Sequence, residues 1–194
     1  MMRKRQPGER SRILQLEGKR IILMIPKPSN AESIYKHIND KSVVRYTTIP
    51  YPYRLKHARE WIRRARRNLR KRSGYEFSIF LKDRREIVGG IGLMHIDRKN
   101  QNAEIGYWLA KKYWGQSLAK EALRLVLDFG FKKLKMRRIY ARVMHPNVRS
   151  CKLLESIGFR LEGRFRLHVK DRFAKNKWLD ELRYGLLKNE YSGV

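Results

Sequence analysis

Between residues 103 and 134 the hydrophobic period changes from two to near four, and that switch constrains the fold more than any other feature of the chain. Over 103–109 the side chains alternate, so that Glu104, Gly106 and Trp108 face one way while Ala103, Ile105, Tyr107 and Leu109 face the other. From Ala119 the apolar positions Ala122, Leu123, Val126, Leu127, Gly130, Phe131 and Leu134 keep a helical period for more than four turns. A strand that runs through a short turn into a long amphipathic helix needs a sheet for that helix to cover.

The rest of the chain supplies one. Residues 20–25 read as a short apolar strand ended by Pro26 and Pro28. Ser29 or Asn30 can cap a helix to about Asn39, with Ala31, Ile34, Tyr35 and Ile38 as its apolar stripe and Asn39-Asp40 closing it. A second helix follows the turn at 50–53: Ala58, Trp61, Ile62, Ala65 and Leu69 share one face, and Arg59, Arg63, Arg66 and Arg70 share another. Residues 75–81 and 86–96 are two strands joined by a polar turn of hairpin length. Residues 138–143 form a further strand, Pro146-Asn147 opens a short helix that stops at Gly158, and strands near 159–169 and 181–187 finish the chain. The order β-α-α-β-β-β-α-β-α-β-β describes a mixed sheet with helices packed on it.

No Pro/Gly/Ser-rich stretch divides the 194 residues, so a single domain over 17–194 is expected, preceded by a basic, flexible arm at 1–16. The lone Cys151 cannot form an internal disulfide, and the opening Met-Met-Arg-Lys-Arg leads into polar residues, which points to a cytoplasmic protein. No apolar run approaches membrane-spanning length. Charge is the unusual bulk property: 47 Lys plus Arg against 18 Asp plus Glu give +29. Ten residues from 54 to 72 are basic and only Glu60 is acidic. Such an excess favours polyanions, so RNA or a ribosome is one expected partner, and a solvated face is the alternative. It also repels free polyamines at long range unless the site itself is acidic.

His37, His57, His95, His145 and His168 show no metal-ligand spacing, and no metal is expected. Tyr46, Tyr51 and Tyr53 either stack on bases or an acceptor, or pack a loop between helices. The turn carrying Gly115 before the long helix is a candidate phosphate site, because free amides at a helix start and the positive end of its dipole bind anions. Lys111 and Lys112 add charge beside it. An ordinary strand-to-helix turn with Ser117 as the cap fits the same residues.

Several separated motifs, in this order, resemble the GNAT superfamily of N-acetyltransferases. They resemble most its branch of ribosomal-protein N-terminal alanine and serine acetyltransferases. The segment Ala103-Glu104-Ile105-Gly106-Tyr107-Trp108-Leu109, followed by Tyr113-Trp114-Gly115-Gln116-Ser117-Leu118-Ala119, is similar to that branch's fourth strand and pyrophosphate loop. Asn147-Val148-Arg149-Ser150 leading to Gly158-Phe159 is similar to its next block, and Val44-Arg45-Tyr46, Pro52-Tyr53 and Trp61-Ile62 to its substrate side. The resemblance covers about residues 17–188.

It implies a mixed, mostly antiparallel sheet splayed in the middle, with helices on both faces and acetyl-coenzyme A in the cleft. The pantetheine arm would pair with the strand ending at Trp108-Leu109, and the pyrophosphate would rest on Trp114, Gly115, Gln116, Ser117, Leu118 and Ala119. Asn147 would bond the pantetheine or a water, and Ser150 would point toward the thioester sulfur. The family's usual second loop glycine is Ser117 here, a substitution that a negative φ tolerates. Glu104 is the expected base, through water, with a plain salt bridge as the alternative. The family's acid tyrosine falls at Leu154, which leaves Ser150 as the nearer donor. The implied reaction acetylates a primary amine, most readily a protein N-terminus. A small amine, and a non-catalytic RNA-associated protein, are the rival readings, and the expected state is a monomer or a homodimer.

Overall fold

The computed structural model describes residues 14–193. Among the described residues eight strands form one sheet: β1 (Gln15–Glu17), β2 (Ile21–Met24), β3 (Tyr75–Leu81), β4 (Glu86–Asp97), β5 (Asn102–Leu109), β6 (Arg138–Met144), β7 (Arg160–Lys170) and β8 (Trp178–Leu187). Across the sheet they run in the order β1-β2-β3-β4-β5-β6-β8-β7. Five α-helices accompany them: α1 (Ala31–Ile38), α2 (Lys41–Val44), α3 (Leu55–Lys71), α4 (Leu118–Asp128) and α5 (Val148–Glu155). Every neighbouring pair of strands is antiparallel except β5 and β6. A parallel neighbour cannot follow through a tight turn, and α4 is the crossover that brings the chain back.

The alternation along β5 separates two cores. Ala103, Ile105 and Leu109 join the larger one, beneath α4 and α5, with Leu123, Val126, Leu127 and Leu154. Trp108 joins the smaller one with Ile34, Ala58 and Ile62 from α1 and α3. Helices therefore cover both faces, and most of the middle strands are buried on both.

Three departures from the sequence reading have local causes. Residues 15 and 16, assigned to the flexible arm, belong to β1, where Gln15 pairs with Met24 and Leu16 with Leu23; Leu14 precedes it, half-buried, and arm positions 1–13 lie outside the described residues. Asp40 does not merely close α1. It caps α2, its carboxylate accepting the Ser42 amide at 2.7 Å, and α2 buries Val43 and Val44. The long helical period breaks at Asp128 into a wide π turn over Phe129–Lys133, where the Leu134 amide reaches the Phe129 carbonyl at 3.0 Å. Widening the turn lets Phe129 and Phe131 both bury, while Gly130 sits so close to Ile139 that a Cβ would come within 2.7 Å of it.

Candidate active site

The parallel pairing of β5 with β6 covers only Asn102↔Arg138, Ala103↔Ile139 and Glu104↔Tyr140. Beyond Glu104 the strands part, while β4 stays paired with β5 through Gly89↔Leu109. One edge of β5 from Gly106 onward thus faces a cleft of about 1640 Å³ rather than a strand. Its unpaired backbone groups can take an extended chain by strand addition.

At one end of the cleft lies the turn into α4. The Trp114 indole donates to the Leu109 carbonyl at 2.7 Å, and the Arg149 guanidinium lies 4.6 Å above its ring. Gly115 has φ +76°, with open space where a Cβ would stand. Ser117 occupies the N-cap position at φ +60°, without a capping bond from its side chain. The condition under which a side chain there is ordinary, a negative φ, is not met; serine sits in the small left-handed region where glycine is easiest. The first helical bond runs from Glu121 N–H to the Ser117 carbonyl at 3.0 Å, so the amides of Leu118, Ala119 and Lys120 precede the ladder and are available to an anion.

Gln116 is the loop residue that does not line the cleft: its side chain bonds the Lys112 carbonyl at 3.1 Å, and its own carbonyl accepts from Arg20 at 2.6 Å. Lys112 is also turned away, to Glu86 at 3.1 Å. The cations placed by the fold at this end are Lys120, Arg149 and Lys152, which line the cleft, and Arg20 behind the loop. Nothing in the local sequence links Arg20 to residue 116.

Trp108, Leu109, Glu104, Asn147 and Ser150 all line the cleft. Glu104 is 7% exposed, accepts from Arg142 Nε at 2.8 Å, and has its other oxygen 3.9 Å from His95 Nε2. The salt-bridged alternative is therefore realised, while the residue still lines the cleft. Asn147 caps α5: its side chain and its carbonyl accept the Ser150 amide at 3.3 and 3.0 Å. Ser150 Oγ lies 2.7 Å from the Tyr107 hydroxyl. Burial pushes the Tyr107 phenol up to about 12. Leu154, where the resemblance expects a tyrosine, is an apolar residue fully buried in the larger core.

The end of the cleft beneath α1 and α3 was less legible. Gly90, Gly92 and Gly106 lie on the α1/α3 face and pave its floor, with Glu76 paired to Gly92 in the adjacent strand. Glu76 is buried and accepts from Trp61 Nε1 at 2.7 Å and Asn68 Nδ2 at 3.1 Å. Only the alternation of β3 hinted that it turns toward α3. The loop at 45–50 forms the rim. Arg45 grips Asp171 through two bonds of 2.5 and 2.8 Å, which hold the Asp171 carboxyl down to about 2, and Arg172 donates to the Ile49, Val44 and Thr47 carbonyls. Tyr46 lines the cleft below Arg45, Tyr53 is buried against His57, and Tyr51 packs on Phe173. Loop packing thus accounts for Tyr51, while Tyr46 and Tyr53 both line the cleft. Among the described residues no helix is long and apolar enough to cross a membrane.

Comparison with known proteins matches residues 20–160 to the model of the acetyltransferase (GNAT) domain. The uncharacterized N-acetyltransferase p20 of Bacillus licheniformis is 34% identical over 92% of this chain and 98% of its own length. The ribosomal-protein-serine acetyltransferase of Escherichia coli is 33% identical over 45% of this chain and 48% of its own. The crystal structure of a "Probable acetyltransferase" superimposes with a TM-score of 0.82 at 26% identity, covering 92% of this chain and 99% of that one.

Proposed function

The chain belongs to the acetyltransferase (GNAT) family and is an acetyl-coenzyme A-dependent N-acetyltransferase, and from that premise we propose that its acceptor is the α-amine of a protein N-terminus, of the ribosomal-protein type. When bound, acetyl-coenzyme A supplies an acetyl group activated as a thioester. The residues described above suit it. The amides around Gly115 and at the start of α4 would hold the pyrophosphate, with Lys120, Arg149 and Lys152 nearby. The free edge of β5 from Gly106 to Leu109 would pair with the pantetheine arm, and a strand amide near Trp108 would stabilise charge on the carbonyl oxygen. Asn147 would bond the arm or an ordered water.

The observation that carries the choice of acceptor is the position of Glu104, fixed by Arg142 in the lining of the cleft. A carboxylate is a weak base, suited to receive a proton through water from an amine that is already partly neutral. An α-amine, with an ordinary value of about 7.7 to 8.0, meets that condition at neutral pH, whereas a lysine amine at about 10.4 does not. The +29 net charge further repels polyamines. The name of the Escherichia coli relative makes a ribosomal-protein N-terminus the acceptor to test first. The cationic face of α3 fits the same reading, as a surface that holds the enzyme near RNA.

Thiol release from acetyl-coenzyme A tests the proposal, using peptides with Ala, Ser or Met N-termini, the same peptides already Nα-acetylated, and a set of small amines and polyamines. Release with the free peptides and none with the blocked ones is the expected outcome. Release with small amines alone assigns the cleft to a small-molecule acceptor and overturns it.

A further inference from the structure

The Tyr107 hydroxyl is absent from every role so far, yet it makes a 2.7 Å hydrogen bond to Ser150 across the place where the sheet opens. Tyr107 stands on β5, three residues beyond the last pairing with β6, and Ser150 stands in the first turn of α5, behind β6. The bond therefore spans the two walls of the cleft. It also sets a direction. A phenol is a stronger acid than an aliphatic hydroxyl and a poorer acceptor, so Tyr107 is the better donor of the pair. With Tyr107 as donor, the hydrogen left over belongs to Ser150, which lines the open cleft.

We infer that Tyr107 is a positioning residue for acetyl transfer: its phenol donates to Ser150 Oγ and so turns the Ser150 hydrogen into the cleft, toward the departing sulfur. The inference rests on the proposed position of Ser150 beside the thioester. In the transfer the amine nitrogen bonds to the carbonyl carbon, the carbon–sulfur bond breaks with its electron pair going to sulfur, and the proton shed by nitrogen goes to water while sulfur takes one from water. Ser150 stabilises the charge that collects on sulfur by hydrogen bonding, and Tyr107 makes it a better donor because successive hydrogen bonds polarise one another. Neither residue is consumed, and neither has to ionise.

The same donor acts on the free thiol of bound coenzyme A, so the inference can be read without any acceptor. The ultraviolet absorbance of the bound thiolate is titrated against pH, with the acetyl-coenzyme A complex as blank, in the wild type, Ser150→Ala, Tyr107→Phe and the double variant. A hydrogen bond to the thiolate lowers its pKa by about one unit. The expected result is that Ser150→Ala and Tyr107→Phe raise the bound thiol's pKa comparably and that the double variant raises it no further than Ser150→Ala alone. Additive shifts in the double variant mean that Tyr107 acts by another route, and they overturn the inference. A shift with Ser150→Ala and none with Tyr107→Phe does the same while leaving Ser150 beside the sulfur. No shift with either removes Ser150 from the sulfur, and the inference falls with it. Thermal unfolding of each variant separates these outcomes from loss of fold, since Phe fills the same space.

Discussion

At the residue scale the α4 turn is the proposed anion site. Gly115 has a positive φ but free space around its missing Cβ, so side-chain bulk is not the constraint there. Asn and Asp both tolerate the left-handed region better than other residues and differ mainly in charge. Gly115→Asp is therefore expected to weaken coenzyme A binding at least about tenfold by calorimetry, a difference of about 1.4 kcal/mol, with Gly115→Asn much closer to wild type. Equal affinities for Asp and Asn would move the pyrophosphate elsewhere. Ser117 has the opposite balance. Its φ of +60° carries a cost that glycine lacks, so Ser117→Gly is expected to stabilise the fold by up to about 1 kcal/mol in urea unfolding. A destabilised Ser117→Gly would mean that the serine hydroxyl does more than the conformation reveals.

Elements carry the next two expectations. Helix α3 buries Ala58, Ile62 and Ala65 and turns Arg59, Arg63, Arg66 and Arg70 to solvent, while His57, Trp61 and Arg64 line the cleft from a third side. Changing the four solvent arginines to Gln leaves that buried stripe intact. RNA affinity and the slope of its logarithm against salt should both fall, the slope by as much as about three to four if all four reach phosphates. Unchanged affinity and slope would make the ribbon a solvated face. The second element is the rim, where Arg45 and Asp171 tie the 45–50 loop to the turn between β7 and β8. The Arg45 guanidinium holds the Asp171 carboxyl at about 2, below the ordinary aspartate range. A depressed folded value means that the unfolded chain binds the proton first. The tie therefore contributes its full stability above about pH 4, the ordinary aspartate value, and loses it as pH falls toward 2. The melting temperature of the wild type should drop more steeply over that window than that of Asp171→Asn, whose side chain does not titrate. Parallel curves would assign the acid sensitivity to other carboxylates, such as Glu86, which Tyr113, Lys112 and His37 hold at about 2 against the opposing effect of burial.

For the whole molecule the dominant fact is a net charge of +29 on 194 residues. Self-repulsion of that size opposes the compact state, and salt screens it over a Debye length of about 10 Å at 0.1 M. The melting temperature should rise between low and moderate sodium chloride, with sulfate no less effective; a fall would show that the ion pairs outweigh the repulsion. Much of the fold was written in short-range pattern. Period two along β5 placed Trp108 and Leu109 on opposite faces, period 3.6 drew α4, and the glycine turn between them marked where an anion can sit, because each signal depends on neighbours within four positions. The exceptions had competing local causes: the cap at Asp40 made α2, and the two phenylalanines around Gly130 widened the last turn of the long helix. What the chain alone could not decide was everything that depends on which distant strands lie side by side. Arg142 and Glu104 are 38 positions apart and Tyr107 and Ser150 are 43, and both pairs exist only because α4 carries the chain over to a parallel strand that separates after three paired residues. The same separation opens the cleft. Local periodicity specifies which face a residue takes, but the register and order of strands determine what it meets there.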